Sequence, residues 1–321
     1  MNINHKRRQL IALGAGTGLA LLGGSLARAQ ETKTVRIGYQ KFNTLNILKG
    51  SGNLEKALEA RGVKVQWHEF LAGPQLLEAL NVGSIDFGHA ADSPSVFAQA
   101  ANASSVYLAA EPPYPSGIAI LVARQSAVQS IRDLKGRKVV LGRGWNVQYL
   151  LVRALEESGL SYEDIEPVYV SNAADARAAF ESGRVDAVGL WDPFLAGAEL
   201  GSDTRVLRDG SGLTNNRTFY HASPKFAASG KELIRTIFAE LKRTQTWAQS
   251  HPQELAQLLA PQLGIDVRVL LRTTERRKYG VTAIDAGIIE EQQRLADTFF
   301  RLKLIPRQIK VDDAVFKDVL V

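Results

Sequence analysis

The 321-residue chain has no cysteine, and its single methionine is Met1. A disulfide framework is excluded, and a chain of this length does not need one to bury a core. A thiol nucleophile and an N-terminal lipid on cysteine are excluded with it. The five histidines are scattered and form no H-E-x-x-H, since His68-Glu69 falls in an expected strand. No G-x-S-x-G elbow occurs. No catalytic residue, cofactor or metal site is read from the chain. An enzyme on the same scaffold stays an alternative, because fold does not fix function.

An excess of one charge is also missing once the start of the chain is set aside. The formal net charge is +6, and residues 1–29 hold Lys6, Arg7, Arg8 and Arg28 with no acid, so residues 30–321 carry +2. That balance calls for neither nucleic acid nor an acidic membrane surface. Hydrophobic residues make up 45% and charged residues 22%, the mix of a soluble globular protein.

One charge-free run stands out, at 9–26, rich in Leu, Ala and Gly. It follows Lys6-Arg7-Arg8 and ends at Ala27-Arg28-Ala29, a small-x-small cleavage pattern. The run is short and glycine-rich for a membrane anchor, so it reads as a signal peptide cut after Ala29. Arg7-Arg8 leaves the Sec and twin-arginine routes both open. The expectation is a free periplasmic protein without stable membrane insertion. The glycines of GAGTG (14–18) imitate a nucleotide loop but lie inside this leader.

What the chain does contain is a sentence written twice. NVGSIDFGHAADSP (81–94) and ESGRVDAVGLWDPF (181–194) match at Gly83 and Gly183, Asp86 and Asp186, Asp92 and Asp192, each offset by one hundred residues. Each copy reads as a helix, a glycine stop, a buried strand and a turn into a helix opened by Asp and Pro. Strand and helix patterns alternate around both copies, from TVRIGYQ (34–40) to RVDAVGLW (184–191). That alternation predicts parallel sheets covered by helices. Two α/β lobes follow, near 33–115 and 125–215, with crossings at about 116–124 and 216–222. Two crossings make a hinge. The alternative is convergent punctuation, which still leaves two lobes. Asp86 and Asp186 read as structural, bonding local backbone.

Several stretches together resemble a known family. RIGYQK (36–41), AGPQLLEALNVGSIDFG (72–88), EPPYP (111–115), DLKGRKV (133–139), LLVRALEESGL (150–160), ADARAAFESGRVDA (174–187) and WDP (191–193) are similar to periplasmic aliphatic-sulfonate-binding proteins of ABC importers. The wider group also serves taurine and nitrate. The resemblance implies a two-lobed type II periplasmic-binding-protein fold, each lobe a mostly parallel sheet flanked by helices, with two hinge crossings. It implies a signal peptide at 1–29, a first lobe of 30–117 and 222–321, and a second lobe of 118–221. The implied function is capture of an organic sulfonate between the lobes and delivery to a permease and its ATPase, by a monomer, for sulfur acquisition. Nitrate, taurine, an aryl sulfonate or a sulfate ester are the alternative ligands.

Ligands of open α/β sheets bind beyond the carboxyl ends of the strands. Those ends here lead into helix N-termini, whose free N–H groups and dipole hold an anion without a fixed cation. The residues expected there are Gln40, Phe42, Asn43, Thr44, Gly73, Pro74, Gln75, Asp92, Ser93, Glu111, Tyr114, Gly144, Trp145, Asn146, Gln148, Trp191 and Asp192. Ordinary capping and turn chemistry is the alternative reading for the polar ones, and core packing for Trp191. Asp92 and Asp192 read first as helix caps, because an unpaired carboxylate facing an anion costs binding energy. Arg276, Arg277 and Lys278 read as a solvated face. Ala91-Asp92-Ser93-Pro94 departs from the family's Gly-Asp-x-Pro, and GRGWNVQ (142–148) from its Ser- and His-rich loop. Phe42 and Trp145 motivate a bulkier apolar or aryl tail on the ligand.

Overall fold

A computed structural model describes residues 33–41, 43–201 and 203–318. The leader and Phe42 lie outside the described residues.

The first stretch runs β1 (Lys33–Tyr39), α1 (Thr44–Ser51), α2 (Asn53–Glu59), β2 (Val63–Glu69), α3 (Gly73–Asn81), β3 (Phe87–Ala91), α4 (Asp92–Ala100) and β4 (Val106–Ala110). The second runs β5 (Ile118–Ala123), β6 (Lys138–Leu141), α5 (Asn146–Glu157), β7 (Glu166–Tyr169), α6 (Ala173–Glu181), β8 (Ala187–Trp191), α7 (Phe194–Gly201) and β9 (Thr204–Asp209). The chain then returns through β10 (Thr218–Ala222) to α8 (Pro224–Ser229), α9 (Lys231–Ser250), α10 (Pro252–Leu263), α11 (Val267–Arg276) and α12 (Ala286–Arg301).

Two five-stranded sheets result, ordered β2-β1-β3-β10-β4 and β7-β6-β8-β5-β9. They repeat one plan. β1 pairs in parallel with β2 and β3, and β6 in parallel with β7 and β8. β10 then runs antiparallel between β3 and β4, as β5 does between β8 and β9. Each sheet so holds four strands of one direction and one reversed strand. The reversed strands are the ones that carry the chain between lobes.

β10 belongs wholly to the first sheet, with Phe219 set between Ala90 and Ala110. The second crossing therefore lies ahead of Thr218, earlier than the expected boundary at 221/222. Pairing on both edges holds β10 there.

The duplicated sentence builds the same joint twice. Gly83 and Gly183 both take φ 71°, the left-handed geometry that stops α3 and α6. The Asp86 carboxylate accepts the Arg36 amide at 2.9 Å, and the Asp186 carboxylate accepts the Lys138 amide at 2.9 Å. In return the Asp86 amide donates to the Arg36 carbonyl and that of Asp186 to the Lys138 carbonyl. Each aspartate locks the entry of its own strand, the central one of its sheet, onto the neighbouring strand, the structural role expected from the sequence.

The core of the first lobe centres on Phe87, Tyr220 and Phe238, whose ring centroids lie 5.5 to 5.9 Å apart. That of the second is the buried face of β5, β6, β8 and α5. The lobes meet where Phe299 of α12 touches Phe97 of α4 at 5.0 Å and Tyr149 of α5 at 5.7 Å. Gly144 fits the same seam. Its φ is +74°, and a Cβ there would stand 3.0 Å from the Phe97 ring, so glycine answers both a backbone and a space requirement.

Candidate functional site

A cavity of about 70 Å³ lies between the carboxyl ends of the two sheets. Counting about 10–15 Å³ for each water-sized group, it holds roughly five to seven such groups. Four helix starts converge on it: Asn43 before α1; Ala72, Gly73 and Pro74 of α3; Ala91 and Pro94 of α4; Trp145 and Asn146 of α5. None of these four helices has a side-chain hydrogen bond from its capping residue. Their positive dipole ends face one small space, which suits an anion.

Of the expected residues, Gln40, Asn43, Gly73, Pro74, Tyr114, Trp145, Asn146, Trp191 and Asp192 line the cavity. Trp145 and Trp191 meet edge to face at 4.7 Å and form an aromatic wall on the second lobe. Trp145 is held by the absence of a neighbour, since a Cβ on Gly142 would run into its ring.

Thr44, Gln148 and Ser93 stand behind the wall, for reasons of local bonding. The Thr44 hydroxyl is buried against Glu111 at 2.5 Å and Tyr220 at 2.7 Å. Gln148 is buried and accepts the Gly144 amide at 2.7 Å, so neither group is left for a ligand. Ser93 turns inward to Asp92. Gln75 is exposed and spans the lobes, donating to the Ser171 carbonyl at 3.1 Å. Phe42 lies outside the described residues.

Both conspicuous aspartates are buried. Asp92 accepts the Ser93 amide at 2.6 Å, one residue on, which is not a cap geometry. Burial pushes its pKa up to about 7. Asp192 lies two residues ahead of α7 rather than at its N-cap, and accepts the Ala196 amide of that helix's first turn at 3.1 Å. It also accepts the Tyr114 hydroxyl at 2.5 Å and pairs with Arg276 at 3.3 Å. Burial raises its pKa to about 6 against the pull of Arg276. Tyr114 is pushed up from the usual phenol range, first by burial and then by Asp192.

The solvated-face reading of Arg276 and Arg277 is overturned, and with it the expectation of a cleft without a fixed cation. Arg277 is 6% exposed and lines the cavity. Its guanidinium donates to Glu111 at 2.6 Å and lies over the Tyr114 ring at 5.1 Å. Burial, the largest influence, would lower its pKa, but the Glu111 carboxylate together with the Tyr279 and Tyr114 hydroxyls keeps it above the ordinary value. Arg276 bridges to Asp192 and to Glu199 of α7, the latter at 2.5 Å. Both arginines sit where α11 ends against the cleft, which no local pattern announced. Glu111 therefore serves as the counter-ion of Arg277 and stands behind the wall.

His89, Asn216, Thr218 and Lys41 also line the cavity and were not among the expected site residues. His89 is wholly buried, and neither ring nitrogen has a hydrogen-bond partner among the described residues. Burial, then the charge of Arg277, holds its pKa well below the ordinary value. A neutral ring keeps one N–H to donate. Asn216 joins the lobes by accepting from Asn146 at 2.7 Å and donating to the Tyr114 carbonyl at 2.7 Å. The arrangement offers an anion the helix starts, one fixed guanidinium and neutral donors, with two indoles for whatever the anion is attached to.

Comparison with known proteins agrees with this geometry. Residues 58–255 match the family described as NMT1/THI5 like. A protein of Escherichia coli (strain K12) named for aliphatic sulfonates binding is 37% identical over 313 residues, 97% of each chain. The alkanesulfonate-binding protein SsuA from Xanthomonas axonopodis pv. citri, solved bound to MOPS, superposes with a TM-score of 0.85. It is 38% identical, over 90% of this chain and 99% of that one. The periplasmic aliphatic sulphonate binding protein SsuA from Escherichia coli superposes with a TM-score of 0.80 at 37% identity, over 90% of this chain and 94% of that one. The desulfurization enzyme DSZB shares the fold alone, with a TM-score of 0.65 at 16% identity. This chain belongs to the NMT1/THI5-like family and, within it, to the aliphatic-sulfonate-binding proteins.

Proposed function

We propose that this protein is the periplasmic solute-binding component of an ABC importer and captures an organic sulfonate in the interlobe cleft. The convergence of four helix starts on a cavity that also holds the Arg277 guanidinium carries this reading. A sulfonate has three acceptor oxygens and one charge. The helix ends and neutral donors match the oxygens, while Arg277, already shared with Glu111, supplies charge without an unopposed grip. Release to a permease then needs only the lobes to part at the two crossings. The relatives' sulfonate ligands and periplasmic location support the same reading. Export would be through the leader at 1–29, and the mature chain would act as a monomer with a permease and its ATPase to supply sulfur. The hydroxyl beside a carboxylate in the site, Tyr114 on Asp192, is held protonated by burial rather than activated, so a binding role fits it better than turnover.

Calorimetric titration of ligand-stripped residues 30–321 tests this. Alkyl and aryl sulfonates, taurine, sulfate and nitrate are compared. Saturable one-site binding of a sulfonate above sulfate and nitrate is the expected result. Preference for nitrate or sulfate, or consumption of a sulfonate on incubation, would overturn it.

A further inference from the structure

A second cavity lies between α9 and the segment that follows α11, and it shares no lining residue with the cleft among the described residues. Its volume is about 540 Å³, within the usual range of small-molecule sites. Lys242, Gln245, Thr246 and Gln249 line it from one face of α9, three or four residues apart, together with Tyr279 and Val281. Gln245 forms the floor, at 2% exposure, and Lys242 and Gln249 stand exposed at the rim.

The floor lacks a donor. The Tyr220 hydroxyl gives its proton to Glu111 at 2.5 Å, so Gln245 can meet that hydroxyl only by donating, which its amide nitrogen does at 3.2 Å. The side-chain oxygen of Gln245 is the polar atom left over. It is shielded from solvent and has no hydrogen-bond partner among the described residues. A buried acceptor in that state calls for a donor from outside the chain. The rim is the reverse. No ion pair engages Lys242 among the described residues. The Gln249 oxygen accepts the Tyr279 amide at 3.0 Å, which leaves its own N–H groups to donate. The Thr246 hydroxyl spends its proton on the Lys242 carbonyl at 2.9 Å. An occupant must therefore offer a negative acceptor to the rim and a proton to the floor.

We propose that this cavity is a second ligand site, outside the cleft, for a small hydroxy acid, whose carboxylate meets Lys242 and the Gln249 amide while its hydroxyl donates to Gln245. A plain carboxylate leaves the Gln245 oxygen unpaired. A polyol leaves Lys242 without a counter-charge. A sulfonate or sulfate has no proton for the floor, so the cleft's ligand class is not the one selected here. Val281, 8% exposed, and the Tyr279 ring supply an apolar wall for the carbons. The site stands whether or not the cleft takes a sulfonate.

The test is an NMR titration of the nitrogen-labelled mature protein with lactate, propionate and glycerol, repeated on Lys242→Met and Gln245→Met. Lactate should give saturable shifts centred on the amides of residues 245–250 and 279–281. It should bind about tenfold more tightly than propionate, which lacks the hydroxyl, and than glycerol, which lacks the charge. Lys242→Met changes an exposed side chain, keeps the fold, and should bring lactate down to the level of glycerol. Gln245→Met should bring it down to the level of propionate. That variant also takes a donor from Tyr220, so its thermal midpoint is read alongside, and Lys242→Met decides the matter if the midpoint has fallen. Propionate binding as tightly as lactate, lactate affinity unchanged in Lys242→Met, or shifts confined to the cleft segments 72–74 and 145–146 would overturn the site. So would the lack of a saturable shift with any of the three, which would mean that the cavity holds water only.

Discussion

Asp92 and Asp192 hold the two interlobe crossings in the same way. The Asp92 amide donates to the carbonyl of Arg217, the residue before β10, and the Asp192 amide donates to that of Gly117, the residue before β5. Each jaw's repeated segment thus pins the strand that enters its own sheet. The duplication one hundred residues apart is a mechanical one, two hinge anchors built from one pattern.

Burial of Asp92 predicts a pH dependence of stability. Its pKa is about 7 in the folded protein against 3.8 unfolded, chiefly because the charged form is desolvated. The folded state then binds the proton more tightly. Its contribution to stability is full below the unfolded value and is lost as pH rises through about 7. The difference amounts to as much as about 4 kcal/mol. Asp192, raised to about 6, acts in the same direction. Urea midpoints should fall between pH 5 and pH 8 in the wild type. Asp92→Asn, which keeps an oxygen for the Ser93 amide, should flatten that fall and raise the midpoint at pH 8. A parallel fall in both proteins would count against this account.

The Arg277–Glu111 pair predicts that stability and binding can be separated. Arg277→Ala strands the Glu111 carboxylate at 2% exposure and should cost about 3–5 kcal/mol as well as abolishing sulfonate binding. In Glu111→Gln with Arg277→Met, no charge is left buried, and the amide can still meet the Thr44 and Tyr220 hydroxyls. That double variant should recover most of the stability and none of the binding. Denaturation and calorimetry on the three proteins decide it, and recovered binding in the double variant would remove Arg277 from the site.

Gly142 predicts the importance of the Trp145 wall. A methyl group there overlaps the indole and cannot be accommodated by a flexible chain end. Gly142→Ala should displace Trp145 at a cost of about 1–3 kcal/mol. Sulfonate affinity should drop about tenfold or more, as expected when an anchoring aromatic is lost. Gly142→Ala with Trp145→Ala relieves the overlap but empties the place of a buried indole, so it should regain neither stability nor affinity. If Gly142→Ala bound as the wild type does, the indole would not be part of the ligand's surroundings.

The repeated sentence made two lobes legible because glycine stops, strand alternation and Asp-Pro helix starts are local signals. Nine cavity residues were legible for the same reason: each lies at the carboxyl end of a strand or the start of the next helix. Thr44, Gln148 and Ser93 carry the same signals, yet their polar groups bond inward to neighbours that only packing reveals. Arg277 was invisible for the opposite reason. It is 166 residues from Glu111 and reads locally as one of three basic surface residues. His89 was hidden inside a strand, where a histidine normally reads as core. Local chemistry announces the cage of helix starts, while its charged and neutral floor comes from folding distant segments over it.

Arg276 predicts how closure is held. It joins α11, packed with α10 beside the first lobe, to Asp192 and Glu199 of α7 on the second. Parting the lobes must break both contacts and expose Asp192. Arg276→Ala removes the clasp and leaves two carboxylates facing each other, so the open form gains population in the free protein. A ligand must then supply the difference, and apparent affinity falls by the same factor as the closed fraction. Small-angle scattering should show a larger radius of gyration for the ligand-free variant than for the wild type, with saturating sulfonate bringing the two together. Affinity should fall about tenfold, through faster dissociation, as expected where one partner of a half-buried charge pair is removed. Equal radii without ligand, together with equal affinities, would mean that the bridge is a bystander and that closure depends on the apolar seam of Phe97, Phe299 and Tyr149 with the Gln75 and Asn216 bonds across the lobes.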